Sequence, residues 1–583
     1  MSESRLMRSA LVAAVAIFAI MAVDSDAYAR KELSSDKGVL KHVPASSPYV
    51  YASVTPLPRK VADKLEPQTD QMLRAYGAAV RDVARAEVAK GAADANAEDL
   101  AQASAMIDEL VGLLSIEGLR NAGVARDSAV VIYGNGLLPV ARIELSDPKL
   151  FDAAIVRMEK AAGNEMDTAK LGRDSYRYVD GDDLRIIIGI FDDDAVFAFA
   201  PSTFDDDDLK ALVGMDLPKK NIADSGRLAD IAKGYDMSGH AVGFIDTVQI
   251  ASLVIDKPQD DLHEKYLEWA EFDNTGLTDV CREELHETAS VVPKVVFGYR
   301  NVSTDGVNGA LIVDVRNDIA SGLASLTSVV PGLGLDPGGL VSFGMAVNLT
   351  SFRSFFESRL TALEDDPYEC DLFAEFQAGL AGGRAMLEQP IPPFLYGLRG
   401  LNMVIDDMDP ESIGADGRPQ DMDVALLVAM DDAEAMYAMG SMMSPELAAL
   451  NLRTDGEPVA IDLPQAEGNP MYEEGAYAAM VENAIAVSVG NDAEARLGRV
   501  LELDSVDPSP VMSITFDAGT YYDLMGESMG KGDGDPEEQI TEQSRKALAE
   551  AFQSVGKLYD RMMFDLRFTQ RGVEVESRMT FKD

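Results

Sequence analysis

One arrangement of turns and periodicities constrains this chain more than any other. Residues 129–201 open with AVVIYGNGLLPVARIEL and close with RDSYRYVDGDDLRIIIGIFDDDAVFAFAP. Gly134-Asn135-Gly136 separates two apolar runs. Asn and Gly accept the positive φ that a tight hairpin demands, so the two runs must pair antiparallel. Asp147-Pro148 then opens a helix, because Asp caps free N–H groups and Pro fits the first turn. Its apolar face is Phe151, Ala154, Ile155 and Met158. Strand-like runs at 176–179, 186–190 and 195–200 follow, the first two joined by Asp180-Gly181. A chain written this way folds as α+β, an antiparallel sheet with amphipathic helices laid on it.

A degenerate copy of this stretch returns over residues 401–490. Laid on the first by order and chemistry, Tyr51 falls against Phe343, Asp147 against Asp432, Asp246 against Asp517 and Gly306 against Gly572. The offsets are 292, 285, 271 and 266. A steady shrinkage is what duplication followed by loop loss in the second copy would leave. The strand pair at 295–299 and 307–315, joined by Asp305-Gly306, recurs as 563–568 and 573–581. A helix is expected over 317–330, with Ile319, Leu323, Leu326 and Val330 in register. Pro331-Gly332-Leu333-Gly334-Leu335-Asp336-Pro337-Gly338-Gly339 is then the strongest boundary signal.

The expected organisation is a signal peptide at 1–29, a first α+β repeat domain at 30–330, a Gly/Pro linker at 331–339 and a second α+β repeat domain at 340–583. Residues 60–119 are a helical insertion in the first, with Met72, Tyr76, Val80 and Val83 on one face.

A length of 583 residues exceeds what one core usually supports. Lys and Arg number 51 against 99 Asp and Glu, a net charge of −48. Such an excess repels phosphate backbones and disfavours nucleic acid as a partner. Arg5 and Arg8, the apolar run at 10–23 and Ala27-Tyr28-Ala29 read as an export signal cleaved between Ala29 and Arg30. Nothing later approaches a transmembrane span, so the expected location is the bacterial periplasm. In that oxidising compartment Cys281 and Cys370, the only cysteines, are expected to form a disulfide.

The signal, the first strand SPYVYASVTPL, the hairpin VVIYGNGLLPVARIEL and the stretch VCREELHETASVVPKVVFGYRNV together carry a resemblance. On these the chain resembles a family of exported bacterial proteins known only as a domain of unknown function. The resemblance implies location and architecture and brings no activity.

The motifs that suggest chemistry fail on context. Gly526-Glu527-Ser528-Met529-Gly530 matches a nucleophile elbow, but the residues before it read as helical and no His follows, the last being His286. His42, His240, His263 and His286 lack metal-ligand spacing apart from Cys281 with His286, which have no partner pair. Acidic runs at 192–194, 205–208, 406–409 and 533–538 do not follow the spacing of a calcium loop and read as turns and helix caps. Met436, Met439, Met442 and Met443 suggest soft copper ligands. Their counterparts Phe151, Ala154, Arg157 and Met158 make packing the simpler reading.

No catalytic, cofactor-binding or metal-binding residue is therefore assigned. The leading expectation is a non-enzymatic exported protein that binds a partner protein or an apolar, lipid-like envelope ligand. A carboxylate-dependent envelope hydrolase and a structural spacer are the alternatives.

Overall fold

The computed structural model describes residue 33 and residues 38–90, 97–258, 261–272, 274–392, 395–408, 422–461, 475–530 and 540–582. The expected signal and the Ala29/Arg30 cleavage point lie outside the described residues.

After a 3-10 turn at Gly38–His42, the chain forms β1 (Tyr49–Ser53) and helices α1 (Arg59–Lys90), α2 (Ala97–Gly112) and α3 (Ile116–Asn121). The hairpin β2 (Val130–Asn135) and β3 (Leu138–Glu144) leads into α4 (Pro148–Ala162). A meander follows: β4 (Asp167–Leu171), β5 (Asp174–Asp180), β6 (Leu184–Phe191) and β7 (Asp194–Pro201). Helices α5 (Asp206–Leu212), α6 (Ile222–Ser225) and α7 (Arg227–Gly234) precede β8 (Val242–Asp246). Between β8 and the pair β9 (Lys294–Val302) and β10 (Gly306–Asp314) lie α8 (Thr247–Ile255), α9 (Asp261–Trp269) and α10 (Asp279–Val291).

Helix α11 (Asn317–Ala324) leads to β11 (Val341–Ala346), then α12 (Leu349–Asp365) and α13 (Ala374–Leu387). The hairpin β12 (Leu398–Met408) and β13 (Met422–Met430) is followed by α14 (Ala433–Met443) and α15 (Pro445–Leu450). Next come β14 (Val459–Ala460), β15 (Ala476–Val481), β16 (Ala484–Val489) and α16 (Ala493–Leu501). The chain ends with β17 (Met512–Asp517), α17 (Ala518–Gly530), α18 (Glu542–Leu558), β18 (Tyr559–Thr569) and β19 (Gly572–Phe581).

The local signals act as their chemistry requires. Asp147 accepts from the Lys149 N–H at the start of α4, and Asp432 accepts from Ala435 at the start of α14. Gly163, at φ 71°, ends α4 in the left-handed conformation that glycine adopts without a Cβ clash. Asp192 and Asp193, at φ 53° and 67°, form the tight turn between β6 and β7.

All the strands join one antiparallel sheet, where two separate sheets are expected from the repeats. Its spatial order is β4-β5-β6-β7-β3-β2-β1-β8-β9-β10-β19-β18-β17-β11-β12-β13-β16-β15-β14. The link between the strands before and after residue 331 is β10 on β19. The 331–339 segment is no free tether, because Pro331, Gly332 and Leu333 are buried and the Asn402 amide donates to the Pro331 carbonyl. Helix α11 stops at Ala324, short of the expected 330, and Leu326 and Val330 pack from irregular chain instead.

The outer parts of the sheet carry helices on both faces. Between β1 and β7, Val131, Tyr133 and Val196 pack beneath the 38–42 turn and α5 to α7, while Ile143, Ile188 and Phe197 pack against Phe151 and Ile155 of α4. Among the later strands, Leu427 and Ala486 pack against Leu497 and Val500 of α16, and Met480 lies with Met436 and Tyr437 of α14.

Candidate functional site

Cross-strand partners in an antiparallel sheet point to the same face, so register assigns each seam residue to one side. Ala310 pairs with Gly298 on one side and with Glu576 on the other, and Glu576 with Asp565. This face of the seam is polar. Arg300 donates to Glu574 at 3.0 Å and also pairs with Glu576. The fully buried Asp565 carboxylate accepts from Arg567 at 3.0 Å, Arg578 at 2.6 Å and Ser513 at 2.7 Å. These contacts close on one another and leave no open carboxylate pair.

The opposite face carries a row of apolar side chains across the seam. Phe297, Leu311, Val575, Leu566, Met512, Met345 and Leu401 stand opposite one another on β9, β10, β19, β18, β17, β11 and β12. The row continues through Gly243 to Tyr51 on β1 and through Val428 on β13. Ten strands at about 4.8 Å spacing make it roughly 40 Å long.

Helices lie over this face, and they do not seal it. Val61 and Leu65 of α1 pack with Tyr299, Val307 and Phe581, and the Tyr521 ring of α17 lies 4.5 Å from that of Phe516. Burial is complete at the two ends of the sheet, where Phe197 is 7% and Met480 1% exposed. Between them Ile245, Leu311, Met345, Leu426 and Val487 keep 37–41% of their surface accessible. Large apolar side chains left half-open in a continuous row mark a surface built to be covered.

The buried polar groups read as structural. Arg142, with no exposed surface, donates to Asp194 at 2.8 Å and to the Val213 carbonyl at 2.7 Å. His42 Nδ1 donates to the Gly214 carbonyl at 2.8 Å, and burial, with the Arg142 charge nearby, lowers its pKa to about 4. Burial raises the Asp194 carboxyl and Arg142 opposes it. A reacting substrate has no route to groups this enclosed. Arg496 of α16 forms a second buried knot, donating to Asp406 at 2.9 Å and to the Val489 carbonyl at 2.9 Å.

Cys281 and Cys370 are disulfide-bonded, with Cα atoms 4.8 Å apart. Gly526 to Gly530 lie inside α17, so no strand delivers Ser528 as an elbow would. The four histidines are scattered. His240 is fully buried and neither ring nitrogen has a hydrogen-bond partner among the described residues; His263 Nε2 donates to the Leu253 carbonyl, and His286 contacts Asp256 at 2.8 Å. Among the described residues no three His, Cys, Asp or Glu side chains converge as metal ligands.

The acidic runs are engaged locally. Asp205 and Asp208 form a capping box at α5 and pair with Lys265, and Asp406 accepts from Arg496 and Arg499. Asp409 and residues 533–538 lie outside the described residues. The Met stripe divides. Met436 packs into the core, as expected, while Met442 and Met443, expected to pack as well, are 82% and 77% exposed. They sit in the last turn of α14, beyond the reach of the sheet beneath it.

The apolar row is what sequence reading missed. Its signal is present in period-2 alternation, with Phe564, Leu566 and Phe568 against Asp565 and Arg567, and Val573 and Val575 against Glu574 and Glu576. No helix among the described residues is long and apolar enough to cross a membrane. No family model, curated protein or solved structure matches the chain.

Proposed function

We propose that the protein is an exported, duplicated scaffold that binds a lipid-like ligand with long apolar chains on the helix-facing side of its sheet. The duplication is supported by strand order. Read outward from the seam, one side runs β10-β9-β8-β1-β2-β3-β7-β6-β5-β4 and the other β19-β18-β17-β11-β12-β13-β16-β15-β14. Each strand takes the place of its sequence counterpart, with β14 standing for the β4–β5 pair. Helical insertions fall at the same points, α1–α2 and α12–α13 after the first strand of each half, α8–α10 and α17–α18 before the last pair. Export to the periplasm is supported by the signal-like residues 1–29 and by the disulfide, which persists in oxidising compartments.

The half-open apolar row carries the ligand reading. The hydrocarbon core of a bilayer, two acyl chains thick, is about 30 Å across, so the row has room for two acyl chains end to end. A hydrolase needs an accessible pair of carboxylates with separated pKa values. The Asp565 cluster is locked by two arginines, and Asp194 is enclosed with Arg142.

Native mass spectrometry of protein purified from the periplasm without detergent tests the reading. Bound lipid released by collisional activation is expected. Spectra showing only the bare chain, together with no uptake of a fluorescent sixteen-carbon fatty acid, would retire it in favour of a spacer.

A further inference from the structure

The two places where helical insertions of opposite halves meet are built differently. On one side α1 meets α18 through a buried apolar cluster, Ala75 and Ala79 against Leu548 and Ala551. Thr541 caps α18 and donates from both its N–H and its hydroxyl to Asp82 of α1. That crossing is held by packing.

The corresponding crossing joins α10 to the α12–α13 hairpin. No side chain of α10, α12 or α13 is buried. The covalent tie is Cys281 of α10 to Cys370, between α12 and α13, backed by the Glu284 carboxylate, which accepts from the N–H groups of Glu369 at 2.7 Å and Cys370 at 3.0 Å. Helix α12 is anchored on α11 and the loop after it: at its base the Asn348 N–H donates to the Leu326 carbonyl and the Phe355 ring lies over Gly322, and farther along Arg359 donates to Asp318 at 3.0 Å. In the sheet, β10, β19, β18 and β17 lie between β9, which follows α10, and β11, which precedes α12. The disulfide therefore closes a bridge over the seam strands, where Leu311 and Met345 are half-open.

We propose that the Cys281–Cys370 disulfide is the latch of the roof over the apolar row, so that the oxidation state of this pair controls ligand access. The proposal rests on the ligand reading above for what is admitted, and on the two crossings alone for what moves. Opening is a thiol–disulfide exchange with a dithiol reductant. Its thiolate attacks the sulfur of Cys281, the more exposed partner, the S–S bond breaks, and Cys370 leaves as a thiolate that takes a proton. The reductant's second thiol then displaces Cys281 and becomes a disulfide itself, so two electrons and two protons pass to the pair. The α12–α13 hairpin swings on its base, while the α1–α18 crossing, which has no cysteine, stays shut.

Hydrogen exchange measured by mass spectrometry on the full chain, oxidised and then reduced with dithiothreitol, tests this, with the Cys281→Ser/Cys370→Ser double variant as a second route. Amides of 279–291 and 349–387 are expected to exchange at least tenfold faster on reduction, while those of 59–86 and 542–558 are unchanged. Uptake of the fluorescent sixteen-carbon fatty acid is expected to speed up by a similar factor. Unchanged exchange in 279–291 and 349–387, or a uniform rise over both crossings, would overturn the latch. Opening with no probe bound in either state would retract the ligand reading and keep the latch; equal uptake rates in both states would do the reverse.

Discussion

Ala310 of β10 and Glu576 of β19 face each other at the middle of the seam, each four residues past the glycine that opens its strand, Gly306 and Gly572. Under the proposed duplication each residue would be the other's counterpart, a pairing of the kind a two-fold related interface produces. The seam is thereby locked in one register. Slipping β19 by one residue along β10 would turn Val575 to the polar face and set a glutamate opposite Leu311 on the apolar one.

The charged side of that seam makes the first prediction. Glu576→Lys removes one of the two carboxylate partners of Arg300, leaving Glu574, and places a like charge beside it. Both side chains are about a quarter exposed, so the cost is expected to be about 1–2 kcal/mol in urea unfolding. The double variant Arg300→Glu/Glu576→Lys should regain roughly half of the loss. No coupling between the two sites would mean that the ion pair does not hold the seam.

Arg142 with Asp194 behaves differently because it is enclosed. Arg142→Met alone strands a buried carboxylate and should cost about 3–5 kcal/mol. Arg142→Met with Asp194→Ala should cost far less. Under the proposed duplication Leu427 of β13 and Ala484 of β16 are the counterparts of this pair, and they are 0% and 1% exposed, an apolar solution for the same site. Equal destabilisation in the single and double variants, read from denaturant midpoints, would argue against this.

Acid sensitivity should come from His42 and His240. Burial holds their folded pKa values at about 4 and about 3, below the ordinary value of 6.5. The unfolded chain therefore binds more protons between those limits, and stability falls as pH drops from 6.5 towards 4. By pH 5 each contributes a loss of about 2 kcal/mol relative to neutral pH. His240→Leu, at a site whose ring nitrogens meet no partner among the described residues, should flatten half of that slope. A melting temperature that falls equally in variant and parent between pH 7 and 5 would assign the acid sensitivity elsewhere.

The apolar row tolerates charge better than a core does, because its central members are already half-exposed. Leu311→Glu and Met345→Glu are each expected to cost less than about 2 kcal/mol, against about 2–5 kcal/mol for truncating a sealed position such as Ile155. Together they should weaken fatty-acid binding at least tenfold. Intact affinity in the folded double variant would move the ligand off this face.

Much of the fold was legible because its signals are local. Asp147-Pro148 and Asp305-Gly306 each specify a cap or a turn within a few residues and stand where expected, while the hairpin expected at Gly134-Asn135-Gly136 turns at Gly136 and Leu137, with Gly134 and Asn135 still paired in β2. The edge strand β4 was missed, since Asp167 to Leu171 alternates weakly and is mostly exposed. The hairpin α12–α13 was also missed; its side chains are nowhere fully buried, so a helical stripe is faint. The seam is a pairing of residues 266 apart, and no local preference selects it over two closed sheets. The disulfide was accessible by counting, because a chain expected in an oxidising compartment and holding two cysteines has one pairing open to it.

The most direct test is photo-crosslinking with a diazirine-bearing fatty acid, followed by peptide mapping of the labelled full chain. Labels are predicted on Phe297, Leu311, Val575, Leu566 and Met345, spread over both sides of the seam and competed away by unlabelled fatty acid. Labels confined to exposed helix residues such as Met442 and Met443, or none that unlabelled fatty acid displaces, would contradict the account.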